Sequence, residues 1–135
     1  MTGPAGRPLR WRWLGPALGY AALIFFLSSL SNPFPFKPTG LLTLDKLLHF
    51  VEYAAFGGLL AWGLARAGLA VSSAAVWAAV LGSAYGLTDE VHQAFVPNRS
   101  ADPRDWVADS VGTLVGAVVM VVILRRRGAR ASIGA

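Results

Sequence analysis

The chain contains no cysteine, which excludes a disulfide framework, thiolate zinc sites and cysteine nucleophiles together. It also lacks any G-x-S-x-G or H-E-x-x-H element, so no catalytic motif of fixed spacing announces itself. Charge is scarce as well: only 14% of residues are Asp, Glu, Lys or Arg. What fills the chain instead is apolar, at 55% hydrophobic residues with a mean hydropathy of +0.53, a balance oilier than that of a soluble domain.

Crossing a hydrocarbon core of roughly 30 Å takes about 20 helical residues. Four apolar runs approach that length, at 13–30, 47–65, 69–87 and 106–124. The expected fold is therefore an all-α membrane protein, a bundle of four transmembrane helices forming a single domain over 1–135. A cleavable signal peptide is the rival reading of the first run, given its basic lead and the small residues of SSLS at 28–31; the run is longer than an ordinary h-region and has no A-x-A site.

Net charge is +5, yet the cations lie at the ends of apolar runs, which points to topology and not to nucleic acid. Arg7, Arg10, Arg12, Arg66, Arg125, Arg126, Arg127 and Arg130 fall on one side, against Lys37, Lys46, Arg99 and Arg104 on the other. The positive-inside rule then places both termini in the cytoplasm. All seven acids gather at the opposite face.

In the third run Ala78, Gly82 and Gly86 recur every four residues, and Gly112 and Gly116 do so in the fourth. In lipid such small residues are packing surfaces first, because helices there associate by close contact. The outer segment SNPFPFKPTG carries three prolines that rule out a helix, and the basic segment after the last run reads as a solvated tail.

The ionisable residues divide into two groups. Asp102, Pro103 and Asp105 read as an N-cap, a first-turn proline and an acid at the positive helix end. Asp45 also fits a cap, and Lys46 can extend outward along its stem. Position alone does not account for His49, Glu52 or Asp109, since a charge within a membrane costs about 2.5 to 3.5 kcal/mol and demands a partner or a watery cavity. Asp45, His49 and Glu52 share a face at i, i+4 and i+7, flanked by Tyr53; Asp89 with Gln93, and Asp105 with Asp109, repeat the four-residue spacing. Asp89 and Glu90 sit at the C-terminal end of a helix, where the macrodipole calls for a cation, and Arg99, Arg104 and Lys46 are the expected suppliers. The expected polar site is thus Asp45, Lys46, His49, Tyr53, Asp89, Glu90, Gln93, Arg99, Asp105 and Asp109. No ligand spacing among His49, His92 and the acids singles out a metal, so neither metal nor cofactor is expected.

The blocks DKLLHFVEYAAFGG at 45–58 and TDEVHQAFVPNRSADPRDWVADSVGTLVG at 88–116 resemble the VanZ-like family of small integral membrane proteins. Its D-K-x-x-H-F-x-x-Y stretch falls on Asp45, Lys46, His49, Phe50 and Tyr53. Its second stretch falls on Asp89, Glu90, Gln93, Phe95, Pro97 and Arg99, and its third on Asp105, Asp109, Gly112 and Gly116. Asp109 departs from the pattern, which more often has Asn there; Glu52 and His92 match no position of it. The resemblance implies a multi-pass protein of the bacterial cytoplasmic membrane with a housekeeping role in the cell envelope, the founding member being associated with low-level teicoplanin resistance.

Three function classes follow. In the first, an outer polar site with Lys46, Arg99 and Arg104 near Phe34, Phe36, Phe95 and Trp106 recognises a membrane lipid, a cell-wall precursor or a lipoglycopeptide, with Arg on phosphate as the anchor. In the second, a membrane-embedded hydrolase or transferase uses His49 or a carboxylate as general base and Arg99 to steady an oxygen. A channel is least favoured, because the inner half carries no intramembrane charge to line a pathway.

Overall fold

The computed structural model describes residues 10–31 and 44–133, with side chains to 130. Arg7, Phe34, Phe36, Lys37 and the proline-rich segment lie outside the described residues. A 3-10 turn (Trp11–Leu14) leads into α1 (Gly15–Ser28), followed by α2 (Leu44–Ala67), α3 (Val71–Gln93) and α4 (Pro103–Ile133). All described regular structure is helical. α2, α3 and the part of α4 from Pro103 to Arg130 are long and apolar enough to cross a membrane, whereas α1 has 14 residues.

Local chemistry sets the helix ends. Pro16 occupies the first turn of α1, where its missing N–H costs nothing. α2 stops at Gly68, whose φ of 122° admits the closing pair of bonds from Gly68 N to Ala65 O (3.2 Å) and Leu69 N to Leu64 O (3.1 Å), a Schellman ending. Asp102 caps α4 as expected, its Oδ1 accepting the Arg104 N–H at 2.9 Å with Pro103 at the first helical position. Asp45 is not outside α2 but within its first turn.

α2, α3 and α4 reach further toward the polar end than their apolar runs, whereas α1 ends at Ser28, short of 30. α2 begins three residues before 47, α3 continues from 87 to Gln93, and α4 begins at Pro103. Hydropathy falls at the first charge, but backbone hydrogen bonding does not. At the other end α4 carries the basic segment onward as helix to Ile133, and the side chains from Arg125 to Arg130 are exposed, as a solvated segment has them.

The helices alternate in direction. The start of α2 meets the start of α4 through Lys46 and Asp105, and the end of α1 meets the end of α3 through Ser28 and Asp89. At the opposite end the Arg10 N–H donates to Ala67 O (3.0 Å), Trp13 packs edge-on to Trp62, and Arg66 lies over the Trp13 ring at 4.5 Å.

α2 is the central helix: half of its apolar window is buried, against 22% for α3 and 28% for α4. Its Tyr53, Phe56, Leu60, Ala61 and Leu64 form the core with Ala74 and Ala78 of α3 and Ala117 of α4. The expected small-residue ridges are contact surfaces. A Cβ on Gly112 would strike Phe50 O, one on Gly116 would strike Ala54 O, and one on Gly57 would strike Thr113 O, so α2 and α4 run backbone against backbone. Gly82 lies against the Thr113 side chain. Outward, Val76, Trp77 and Val80 of α3 and Val111, Leu114 and Val118 of α4 are exposed, an apolar surface suited to lipid and not to water.

Candidate functional site

All four helices deliver polar side chains to one end of the bundle. On α2, His49 is buried while Asp45, Lys46 and Glu52 are half-buried. On α3, Asp89, Glu90 and Gln93 are buried, and on α4 Asp105 and Asp109 are buried. Tyr53 has no exposure and stacks edge-on with Phe56. The i, i+4, i+7 stripe on α2 therefore faces the interior of this polar end.

The pairing differs from the expected one. Lys46 does not reach Asp89 or Glu90 with its ammonium but bridges two acids of α4, Asp105 Oδ1 at 2.7 Å and Asp102 Oδ2 at 3.0 Å. The Asp102 carboxyl is held below its ordinary value, first by the Arg104 N–H and then by Lys46. Asp89 is bound by neutral donors, the Ser28 hydroxyl and the Gln93 amide (2.9 Å). Glu90 Oε2 accepts the Asp102 backbone N–H at 2.8 Å. The physical reason is reach: the α3 acids point into the bundle, where a hydroxyl, an amide and a backbone N–H lie closer than any guanidinium.

Arg104 is exposed. Arg99 turns back instead toward α1, with Nη2 3.5 Å from Leu27 O and Nε without a hydrogen-bond partner. The sequence explains how it gets there. Asn98 has φ 63° after Pro97, and Arg99 N–H donates to Val96 O at 3.1 Å. Proline second and a left-handed Asn third are the requirements of a type II turn, which folds the chain leaving α3 back over the site.

His49 Nδ1 lies 3.0 Å from Asp109 Oδ1. Asp109 Oδ2, Glu90 Oε1, the Tyr53 hydroxyl and Thr113 Oγ1 are buried with no hydrogen-bond partner. One ligand atom each from His49, Glu90 and Asp109 lie within 4.8 Å of one another, and the same holds for Asp45, His49 and Asp105. His92 belongs to neither group; its Nε2 is 3.0 Å from Ser29 Oγ, and its ring packs on Phe25.

Beside this cluster is a cavity of about 310 Å³ lined by Tyr20, Leu27, Ser28, Asp45, Leu48, His49, Val51, Glu52, Asp89 and Arg99. It lies between α1, α2, the end of α3 and the turn that follows. Glu52, left without a role by position alone, faces this space. Ser28 escaped the sequence reading altogether: a hydroxyl in an apolar run carries no charge signal, and its only mark was a small-residue cluster. Phe34 and Phe36 of the expected recognition surface are outside the described residues, and Phe95 is 82% exposed and does not line the cavity.

A family profile described as VanZ/LLP1 matches residues 16–125. The chain belongs to the VanZ/LLP1 family. That span takes in most of α1, all of α2 and α3 and the apolar part of α4, so the resemblance seen in two motif blocks extends over the whole bundle. No curated protein and no solved structure matches the chain. With three helices suited to spanning, this is a membrane protein of the VanZ type.

Proposed function

We propose that this VanZ/LLP1-family chain is a four-span protein of the bacterial cytoplasmic membrane, with both termini in the cytoplasm, and that it recognises an envelope amphiphile at its outer polar end. For the first span, the 3-10 turn and α1 together run 18 residues from Trp11 to Ser28, about 29 Å at their respective rises. Leu18, Leu23, Phe25 and Phe26 are exposed along it, as a lipid-facing helix would have them. Arg10, Arg12, Arg66 and, on α4, Arg125, Arg126, Arg127 and Arg130 share the end opposite the acids, which supports the orientation.

The observation that carries the recognition reading is the cavity. Leu27, Leu48 and Val51 line it and are exposed to the bundle's surroundings, while Asp45, His49, Glu52, Asp89 and Arg99 supply its polar lining. An apolar mouth with a polar interior suits a molecule with a tail and a head group. The lining sets three carboxylates against one guanidinium, so the head group that fits carries hydroxyl or amine donors as well as an anionic oxygen for Arg99. Membrane lipids, lipid-linked cell-wall precursors and lipoglycopeptides all have that composition.

The test is binding of the purified chain to a panel of envelope lipids, precursors and teicoplanin, alongside Arg99→Ala and Glu52→Gln. Asp89 is a poor choice because its bond to the Ser28 hydroxyl holds α1 to α3. Selective, saturable binding weakened at least ten-fold in both variants, with unchanged thermal unfolding, is expected. Binding that is unselective, or indifferent to both variants, sinks the reading.

A second reading, a hydrolase or transferase acting on an envelope lipid, is favoured by one observation. His49 is oriented by a fully buried carboxylate and also lines the cavity, the arrangement of a general base with its positioning partner. Mass spectrometry of a bound lipid incubated with the protein decides it: an unaltered lipid after prolonged incubation removes the enzyme.

A further inference from the structure

We infer that His49, Glu90 and Asp109 bind one divalent transition-metal ion, of the zinc or manganese class, where α2, α3 and α4 meet. The three residues lie on three different helices. Ligand spacing along the chain therefore shows nothing, and only the fold brings them together. One imidazole nitrogen and two carboxylate oxygens stand within 4.8 Å of one another. Nitrogen and oxygen ligands about 2.0 to 2.2 Å from such an ion are about 3.4 Å apart at the tetrahedral angle, so small side-chain adjustments close the set.

A second observation points to a ligand there. Asp109 has no solvent exposure and Glu90 only 5%, yet Asp109 Oδ2 and Glu90 Oε1 meet no hydrogen-bond donor. Oxygens of this kind are almost always satisfied when buried, and within a membrane the demand is stronger. One cation between them answers both. Gly86 lets the Asp109 side chain come this close to α3: a Cβ at that position would stand 3.0 Å from Asp109 Cβ and 3.1 Å from its Oδ2.

The neighbouring group of Asp45, His49 and Asp105 is the weaker choice, because Asp105 already accepts the Lys46 ammonium at 2.7 Å. It serves as an outer layer that keeps the region anionic. With one imidazole, carboxylates and no thiolate in the chain, the donor set suits Zn²⁺, Mn²⁺ or Fe²⁺ and disfavours Cu⁺. α2 and α4 are held in register by their glycine contacts, and α3 meets α4 through Gly82 at Thr113 and Gly86 at Asp109, so the site is assembled before an ion arrives.

The inference does not rest on amphiphile recognition, since the metal alone is the probe. Full-length protein in detergent, stripped with a chelator, is titrated with Zn²⁺ and separately with Mn²⁺. Saturable binding of one ion per chain is expected, weakened at least ten-fold in each of His49→Gln, Glu90→Gln and Asp109→Asn and unchanged in His92→Gln. Absence of saturable binding, or equal binding in all variants, overturns it. Should the three variants fail to fold, X-ray absorption on the zinc-loaded wild type decides: one imidazole with oxygen donors supports the site, while two imidazoles or oxygen donors alone refute it.

Discussion

Asp109 accepts no solvent and faces His49 across the α2–α4 contact, Oδ1 to Nδ1 at 3.0 Å. A side chain of this kind is coupled to its partner, because removing one member leaves the other buried and unsatisfied. Asp109→Leu should therefore destabilise the protein by about 2 to 4 kcal/mol. Asp109→Asn keeps the shape and an oxygen for His49, and should cost less than about 1.5 kcal/mol. Reversible denaturant unfolding in detergent measures both, and equal losses would show that the carboxylate charge, which both variants remove, is what matters and not the presence of an acceptor oxygen.

The glycines separate cleanly into those that touch and those that do not. A side chain on Gly116 meets the Ala54 carbonyl, whereas nothing lies within 4 Å of a Cβ on Gly19 or Gly128. Gly116→Val should push α2 from α4 and lower stability by about 3 kcal/mol or more, since backbone cannot yield as a flexible side chain does. Gly19→Ala and Gly128→Ala should be neutral or stabilising by up to about 1 kcal/mol through helix propensity. Thermal unfolding of the three variants side by side checks the contrast.

How much of this the sequence disclosed depends on how local each signal is. The Asp102–Pro103 cap, the Gly112 and Gly116 ridge and the Asp45–His49–Glu52 face are written within one helix, and each holds in the fold. Partner choice is not local. Lys46 belongs to Asp102 and Asp105, and Asp89 to Ser28 and Gln93, because three-dimensional reach decides among donors that charge alone ranks differently. Ser28 was invisible for the same reason, and the convergence of His49 with Glu90 and Asp109 needed three helices in register. Helix ends are not marked by hydropathy either: α2, α3 and α4 run past their apolar stretches into charged turns that continue the same hydrogen-bond ladder.

Lys46 joins the starts of α2 and α4, with its side chain 13% exposed and that of Asp105 8% exposed. Lys46→Met removes the cation but leaves the carboxylate, so a loss on the order of 3 kcal/mol is expected. Lys46→Met combined with Asp105→Leu should recover much of that loss, since replacing both members by apolar groups avoids the unpaired charge. A double-mutant cycle by denaturant unfolding tests this, and strict additivity would exclude the coupling.

Asp102 supplies the pH dependence. Its carboxyl is lowered from 3.8 by the Arg104 N–H and Lys46, so the folded state holds the proton less tightly than the unfolded chain does. The associated stability is present above the unfolded value and is lost as pH falls through the folded one. The advantage of wild type over Asp102→Asn, which keeps the helix cap, should therefore be constant above about pH 5 and shrink toward pH 3. Thermal midpoints at those pH values measure it, and the effect should be small because Asp102 is largely open to solvent.

The turn that carries Arg99 makes the last test, because it separates position from chemistry. Asn98 adopts φ 63°, a region open to Gly and tolerated by Asn but strained for a β-branched residue. Asn98→Gly should preserve both the turn and binding at the cavity. Asn98→Val should cost about 1 to 3 kcal/mol of local strain, relieved by a rearranged turn that withdraws Arg99 from the cavity lining. If Arg99 is the anchor for an anionic head group, Asn98→Val should reproduce the binding loss of Arg99→Ala although no charged residue has changed. Ligand titrations of the two variants, with circular dichroism to confirm intact helices, make the comparison. Undiminished binding in Asn98→Val, with the turn shown to be altered, would remove Arg99's placement from the recognition mechanism.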